Sequence, residues 1–100
     1  KIMISNPIGS DTISSLVAAV GLTAAQLPPT KQGVIYAVVQ AVSGDARYTV
    51  DGTTPTASLG LRLPEDSIVE VWGSESLNNF RAIDAGGTAK LEVVYFGGGA

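Results

Sequence analysis

The chain has 100 residues, of which 45% are hydrophobic and 15% are charged, and its formal net charge is −3 at pH 7. This length fits one domain with one core and is too short for two independent domains of ordinary size. Because the chain contains no cysteine and no histidine, a disulfide framework, thiolate metal sites and a histidine-based catalytic triad are excluded.

Charge and hydropathy narrow the classes of partner. The six basic residues are dispersed along the chain, which disfavours nucleic-acid binding through phosphate neutralisation. No apolar run approaches the roughly 20 residues that a membrane-spanning helix needs, so we expect a protein that is soluble and has no membrane partner. The charged fraction lies below the value of about 25% that is typical of soluble domains. We therefore expect part of the surface to contact another protein.

The sequence pattern of the first 32 residues is compatible with more than one secondary structure. Ile2, Ile4 and Ile8 flank a turn that contains proline and glycine, which predicts a short strand or an extended arm. Residues 10–22 fit one face of a helix, and the same residues also fit a buried strand. We expect residues 1–32 to form an N-terminal arm that makes contacts between subunits, and residues 33–100 to form the core of a single domain.

Strand patterns dominate from Gly33 onward. Residues 34–42 are apolar on both alternating faces, which predicts a central strand that is covered on two sides. Residues 46–50 alternate, with Ala46, Tyr48 and Val50 inward, and Asp51-Gly52 supplies the turn that follows.

The remaining strands follow at short intervals. We predict strands around residues 60–63, 67–72, 80–83 and 89–96, with the apolar residues of the last one facing inward. About seven short strands with turn signals every 8 to 12 residues are typical of a sandwich or a barrel. The sequence therefore predicts an all-β, immunoglobulin-like β-sandwich with an extended N-terminal arm.

The polar residues do not form a catalytic or metal-binding motif. Asp45, Asp51 and Asp66 lie in turns, where a carboxylate ordinarily accepts local backbone hydrogen bonds. Asp45 and Asp51 flank a strand and offer oxygen ligands for calcium, but two acids without a calcium-loop pattern favour the structural interpretation. We expect no enzymatic activity, no catalytic residue, no metal and no cofactor.

Several side chains are candidates for contact with a partner. The hydroxyl-rich loop around Pro55 suits hydrogen bonding, and two aromatic residues next to glycines are expected to be exposed. Together with the apolar residues of the arm, the candidate contact residues are Ile2, Ile4, Ile8, Thr53, Thr54, Thr56, Trp72 and Phe96.

Residues 33–96 resemble a family of small structural proteins from the virions of tailed bacteriophages. The resemblance lies in the run Arg47-Tyr48-Thr49-Val50-Asp51-Gly52-Thr53-Thr54-Pro55-Thr56 and continues through Gly60, Leu63-Pro64, Trp72-Gly73, Leu77, residues 80–83 and residues 91–96. The Tyr-Thr-x-Asp-Gly-Thr-x-Pro-Thr core is also similar to immunoglobulin-like modules attached to chitobiase-type sugar hydrolases. Both likenesses imply a β-sandwich, and neither implies a catalytic residue.

The resemblance to virion proteins implies a role as a capsid decoration or cement protein of a phage head. Its partner would be the major capsid protein or another virion protein, and the chain would form a homo-oligomer such as a trimer. Two alternatives remain open at this point. One is a carbohydrate-binding accessory module that uses Trp72 and the threonine loop, and the other is a tail or baseplate component of the same kind of particle.

Overall fold

The structure is a computed structural model that describes residues 6–14, 16–22, 33–85 and 88–97. Within these ranges the chain forms seven strands, in which apolar and polar residues largely alternate, and one short helix. The elements are β1 (Asn6–Ile13), β2 (Val34–Val42), β3 (Ala46–Thr49), β4 (Leu61–Leu63), β5 (Ile68–Trp72), α1 (Ser74–Asn79), β6 (Arg81–Asp84) and β7 (Lys90–Gly97).

The strands form two antiparallel sheets. The four-stranded sheet has the order β1-β7-β2-β5, and the three-stranded sheet has the order β4-β3-β6. The predicted all-β sandwich of about seven strands is therefore confirmed. As predicted, β2 lies in the interior of its sheet, between β7 and β5.

One core fills the space between the sheets. In β2, β5 and β7 every second residue faces this core, and Val39, Val71, Leu91 and Tyr95 are almost completely buried. The three-stranded sheet adds Ala46, Leu63 and Ala82 to the same cluster, and the segment between β5 and β6 adds Leu77 and Phe80. Burial of these apolar side chains is the main favourable term that holds the two sheets together.

The N-terminal segment differs in part from the predictions. Asn6–Ile13 is β1 and pairs with β7, with a shift in register between Pro7 and Gly9. The described part of residues 10–22 therefore holds the end of β1, then a segment with bends at Val17 and Ala18 and an isolated bridge at Val20, and no helix. Leu16 and Leu22 lie in the same core cluster as the later strands, so the described part of the predicted arm contributes to the sandwich. Ile2 and Ile4 lie outside the described residues.

Two further local features were not anticipated. Val50 was predicted to face the core, but β3 ends at Thr49 and Val50 is 36% exposed. The helix α1 begins after Gly73, whose φ is 89°, and no side chain caps its first turn. Its Leu77 is fully buried, so contact with the core, rather than a capping motif, fixes this short helix.

The two sides of the sandwich differ in whether a described segment bonds to their edge strands. Beside β6, the backbone of Val20 exchanges two hydrogen bonds with Ala82, of 2.9 and 2.8 Å, and the Asp84 N–H donates to the Leu16 carbonyl at 2.9 Å. We call this edge, with residues 16–22, the covered side. We call the edges formed by β4 and β5 the open side, because no described strand pairs with the outer edge of either. Within the described ranges, no helix has the length and apolar character to cross a membrane.

Candidate interaction surfaces

A shallow apolar groove lies where β3 ends and β4 begins. It has a volume of about 240 Å³ and is lined by Tyr48, Thr49, Val50, Asp51, Gly60 and Leu61. We call it the tip groove. The exposed side chains of Val50, Leu59 (51% exposed) and Leu61 (59% exposed) lie in or next to the segments that line it. Sequence reasoning missed the two leucines, although a large aliphatic residue in a loop of small polar residues was a usable signal.

The loop beside the tip groove is held by a network of hydrogen bonds. The Arg47 guanidinium donates to the carbonyls of Ala57 at 3.0 Å and Gly60 at 2.7 Å. At the other end of the loop, the Thr49 hydroxyl donates to the carbonyl of Thr53. These bonds fix both ends of a segment that has little regular structure of its own.

Asp51 begins this loop and accepts a hydrogen bond from the Thr53 backbone N–H at 3.0 Å. Hydrogen bonds from the Thr53 backbone and hydroxyl favour the charged carboxylate and lower the pKa of Asp51 from its ordinary value. The side chain therefore acts as a structural acceptor in the turn, as its position in the sequence predicts. The predicted contact residues Thr53, Thr54 and Thr56 are all exposed in this loop.

Three aromatic rings form a stacked row on the outer face of the four-stranded sheet. Tyr36 lies between its cross-strand neighbours, with ring centroids 4.0 Å from Trp72 and 4.7 Å from Phe96 and interplanar angles of 10° and 5°. Trp72 is 53% exposed, as predicted. Its indole N–H donates to the Glu70 carboxylate at 3.0 Å, which holds the exposed ring in place.

The exposure predicted for Phe96 is wrong. Phe96 is 4% exposed, because it lies inside β7 and stacks on Tyr36. A neighbouring glycine in the sequence suggested the end of a strand, whereas β7 includes Gly97. Ile8, another predicted contact residue, lies in β1 where the register shifts, and its side chain is outside the described set.

All three arginines of the chain lie on the outer face of the three-stranded sheet. Arg47 and Arg62 are cross-strand partners, and Arg81 lies opposite Thr49 on the same face. Two of them bond to backbone carbonyls, Arg47 to the loop and Arg81 to Phe80 at 3.1 Å. Arg62 is the most open to a partner, since its side chain is 67% exposed and its contact with Asp45 is 3.9 Å long.

Asp45 and Asp51, the two carboxylates considered as calcium ligands, accept hydrogen bonds within the fold. One oxygen of Asp45 accepts the Glu65 N–H at 2.8 Å, and Asp51 accepts from Thr53. Within the described ranges, no group of three or more acidic, histidine or cysteine side chains is arranged to hold a metal ion. A second cavity, of about 250 Å³, lies on the covered side, and its lining consists of Ser14, Leu16, Val17, Asp84, Thr88, Ala89 and Lys90. Its polar groups include Asp84, which accepts the Ala89 N–H at 3.2 Å.

Comparison of the chain with protein-family models, with curated proteins and with solved structures found no match. The resemblance to phage virion proteins therefore rests on the sequence motifs alone. What the geometry adds is a sandwich with an apolar groove at one end, an exposed tryptophan and one open side. These are features of a surface that binds a partner.

Proposed function

We propose that this chain is a non-enzymatic structural protein of a bacteriophage particle, a capsid decoration protein that binds the shell through its tip groove. The observation that carries the binding role is the group of exposed aliphatic side chains at Val50, Leu59 and Leu61. The assignment to a phage particle comes from the resemblance of residues 33–96 to virion proteins.

Exposed apolar side chains at a groove favour a protein partner. Scattered apolar residues are ordinary on a surface, but exposed apolar residues that line one groove, as Val50 and Leu61 do, are typical of a binding site. The loop is held by Arg47 before any partner arrives, so binding loses little conformational entropy. The exposed hydroxyls of Thr53, Thr54 and Thr56 supply donors and acceptors around the apolar centre, which is the usual arrangement of an interface rim.

The proposed mechanism is stabilisation by selective binding. A protein that binds only the assembled shell lowers the free energy of that shell by mass action. Repetition over a symmetric particle then adds many weak contacts. No chemical step is needed, and the chain offers no histidine or cysteine for one.

The first experiment asks whether the chain is part of a particle. Particles from the strain that encodes it are banded by density, separated into heads and tails, and quantified by mass spectrometry. A decoration protein is expected in the head fraction at a copy number comparable with that of the major shell protein. A low copy number in the tail fraction would indicate a tail or baseplate component, and absence from all particles would overturn the proposal.

The second experiment tests the tip groove with a matched pair of variants. Particles that lack the chain are mixed with recombinant protein, and bound protein is measured after sedimentation. We expect Val50→Asp and Leu59→Asp to weaken binding by about tenfold or more, since each places a charge in an apolar contact. Val17→Asp makes the same change at a valine that is 87% exposed on the covered side. Equal binding by all three variants would exclude the tip groove as the contact.

A carbohydrate-binding accessory module is the second candidate, and the observation that favours it is Trp72. Its ring stacks on Tyr36 through one face and is 53% exposed, so it offers a fixed aromatic surface to a sugar ring. Retention on insoluble polysaccharides distinguishes this candidate, because binding should be lost with Trp72→Ala and kept with Val50→Asp. The opposite dependence supports the protein contact.

A further inference from the structure

We infer that the open side of the sandwich binds the open side of a second copy of this chain, so that β5 of each copy pairs with β4 of the other. The inference goes beyond the proposed function and does not depend on it, since it concerns only contacts between copies. It rests on the backbone of β5, on the turn that joins β4 to β5, and on the charges of the two edges.

The turn between β4 and β5 fixes the two edges relative to each other. The Asp66 N–H donates to the Ala41 carbonyl at 2.7 Å, the Ala41 N–H donates to the Ser67 carbonyl at 3.2 Å, and the Gln40 side chain donates to the Asp66 carbonyl at 3.1 Å. The short connection from Leu63 to Ile68 reverses the chain, so β4 and β5 run in opposite directions on the same side of the sandwich.

The outer edge of β5 presents backbone groups that are available for pairing. The inner edge of β5 bonds to β2, and two such bonds flank the strand. The Ser67 carbonyl accepts from the Ala41 N–H, and the Gly73 N–H donates to the Ile35 carbonyl, so both pairs continue the register of β5 with β2. Because antiparallel bonding alternates along a strand, the N–H and C=O groups of Ile68, Glu70 and Trp72 point away from β2. Such an edge, with no described strand beside it, is a template for another strand.

The charges of the two edges are complementary. Glu70 is exposed on the outer face of β5, and Arg62 is exposed on the outer face of β4. On either side of Glu70, the same face of β5 carries exposed apolar side chains, Ile68 at 46% and Trp72 at 53%. A surface with both charges and apolar residues can bind its own copy, which is the requirement of a twofold interface.

The orientation of the pair follows from the faces on which the charges lie. Arg62 points outward from the three-stranded sheet and Glu70 points outward from the four-stranded sheet. A twofold axis parallel to the strands places the three-stranded sheet of one copy beside the four-stranded sheet of the other. In this arrangement β5 and the second copy's β4 run antiparallel, and Arg62 of one copy meets Glu70 of the other on a shared surface. The same contact forms twice.

The test is a charge exchange between two variants, measured by sedimentation velocity over a range of protein concentrations. We expect the unmodified chain to dimerise in a concentration-dependent way, with dissociation promoted by salt. Arg62→Glu and Glu70→Arg each place like charges together and should weaken the dimer by about tenfold or more. An equimolar mixture of the two variants should dimerise again, because both pairs in the mixed dimer have opposite charges.

Controls keep the result interpretable. Lys90→Glu reverses one exposed charge on a strand inside the four-stranded sheet, and it should leave the dimer unchanged. Thermal unfolding of each variant verifies that the chain is folded. A monomer at all concentrations, single variants that dimerise normally, or a mixture that stays monomeric would each overturn the inference. None of these outcomes affects whether the chain is found in particles, so the proposed function is tested separately.

Discussion

The covered side and the open side of this sandwich show two ways in which a sheet edge can end. On the covered side, residues 16–22 bond to the edge of β6 and bury Leu16. On the open side, β5 directs backbone groups outward and carries the half-exposed Trp72. The difference indicates that the covered side serves the stability of the domain, whereas no described strand pairs with the edges of the open side. Substitutions on the two sides should therefore affect different properties.

Among substitutions on the covered side, Leu16→Ala should have the largest effect on stability. Leu16 is 2% exposed and packs in the main core, so its truncation should lower the free energy of unfolding by about 2–5 kcal/mol. Val17→Ala is the matched control at the next residue, which is 87% exposed, and should change stability by less than about 0.5 kcal/mol. Chemical denaturation measures both. Equal effects would mean that residues 16–22 do not close this side.

A smaller loss is expected for Gly21→Ala, which tests how closely the covering segment approaches β6. A Cβ at Gly21 would lie 3.0 Å from the Phe80 carbonyl oxygen and 2.9 Å from the Arg81 guanidinium. The arginine can move but the backbone carbonyl cannot do so freely, so we expect a loss of about 1–3 kcal/mol. Exchange of the Ala82 amide hydrogen should be faster in the variant, because the added methyl group strains the hydrogen bond from Ala82 to the Val20 carbonyl. Ala18→Ser, at an exposed position of the same segment, should leave both quantities unchanged.

Trp72→Ala on the open side should reduce stability less than either covered-side change, by about 1 kcal/mol. The ring loses its stacking on Tyr36, and such pairs contribute about 0.5–1.5 kcal/mol beyond burial. Tyr36→Ala is the comparison within the same row, and it should be far more destabilising because Tyr36 is 2% exposed between two rings. A loss for Trp72→Ala as large as that for Tyr36→Ala would show that the open side is also needed for folding.

The smallest effect should come from Asp51→Asn, and it should depend on pH. The Thr53 hydrogen bonds lower the pKa of Asp51 in the folded chain. A lowered folded pKa stabilises the fold above the unfolded pKa, and this contribution disappears as pH falls through the folded pKa. Thermal unfolding should therefore show a slightly less stable variant at about pH 7 and a difference that shrinks as the pH falls below about 4. A difference that is unchanged in acid would assign the effect to side-chain shape rather than charge.

The sequence predicted β5 at the edge and β7 in the interior of the four-stranded sheet well, because the side chains of both strands alternate regularly between the two faces. The strand predicted around residues 67–72 is β5, in which Val69 and Val71 face inward and Glu70 and Trp72 face outward. In β7 the residues Leu91, Val93 and Tyr95 face the core as expected. Side chains that alternate over five or more residues leave little freedom for another arrangement.

The residues that the sequence misassigned lie where tertiary contacts outweigh local pattern. Phe96 is covered by Tyr36 of β2, the neighbouring strand in the sheet, which is distant in sequence. No residue close to Phe96 in sequence indicates that contact. For residues 10–22 the sequence left helix and strand open, and the contact that decides is again tertiary, since the backbone of Leu16 and Val20 bonds to β6. Of the contact residues predicted from the sequence, Thr53 and Trp72 are exposed. The sequence did not single out Leu61 and Arg62, because the contacts proposed for them depend on β4 being an edge strand.

The row of stacked rings also gives the molecule an optical property. Trp72 is the single tryptophan of the chain, it lies on the open side, and its indole N–H already bonds to Glu70. Its fluorescence emission should therefore shift to shorter wavelength when a partner removes water from that side, and should remain unchanged when only the covered side or the tip groove is occupied. The protein thus carries its own label for contact on the open side, and a titration followed by intrinsic fluorescence can distinguish the surfaces without chemical modification.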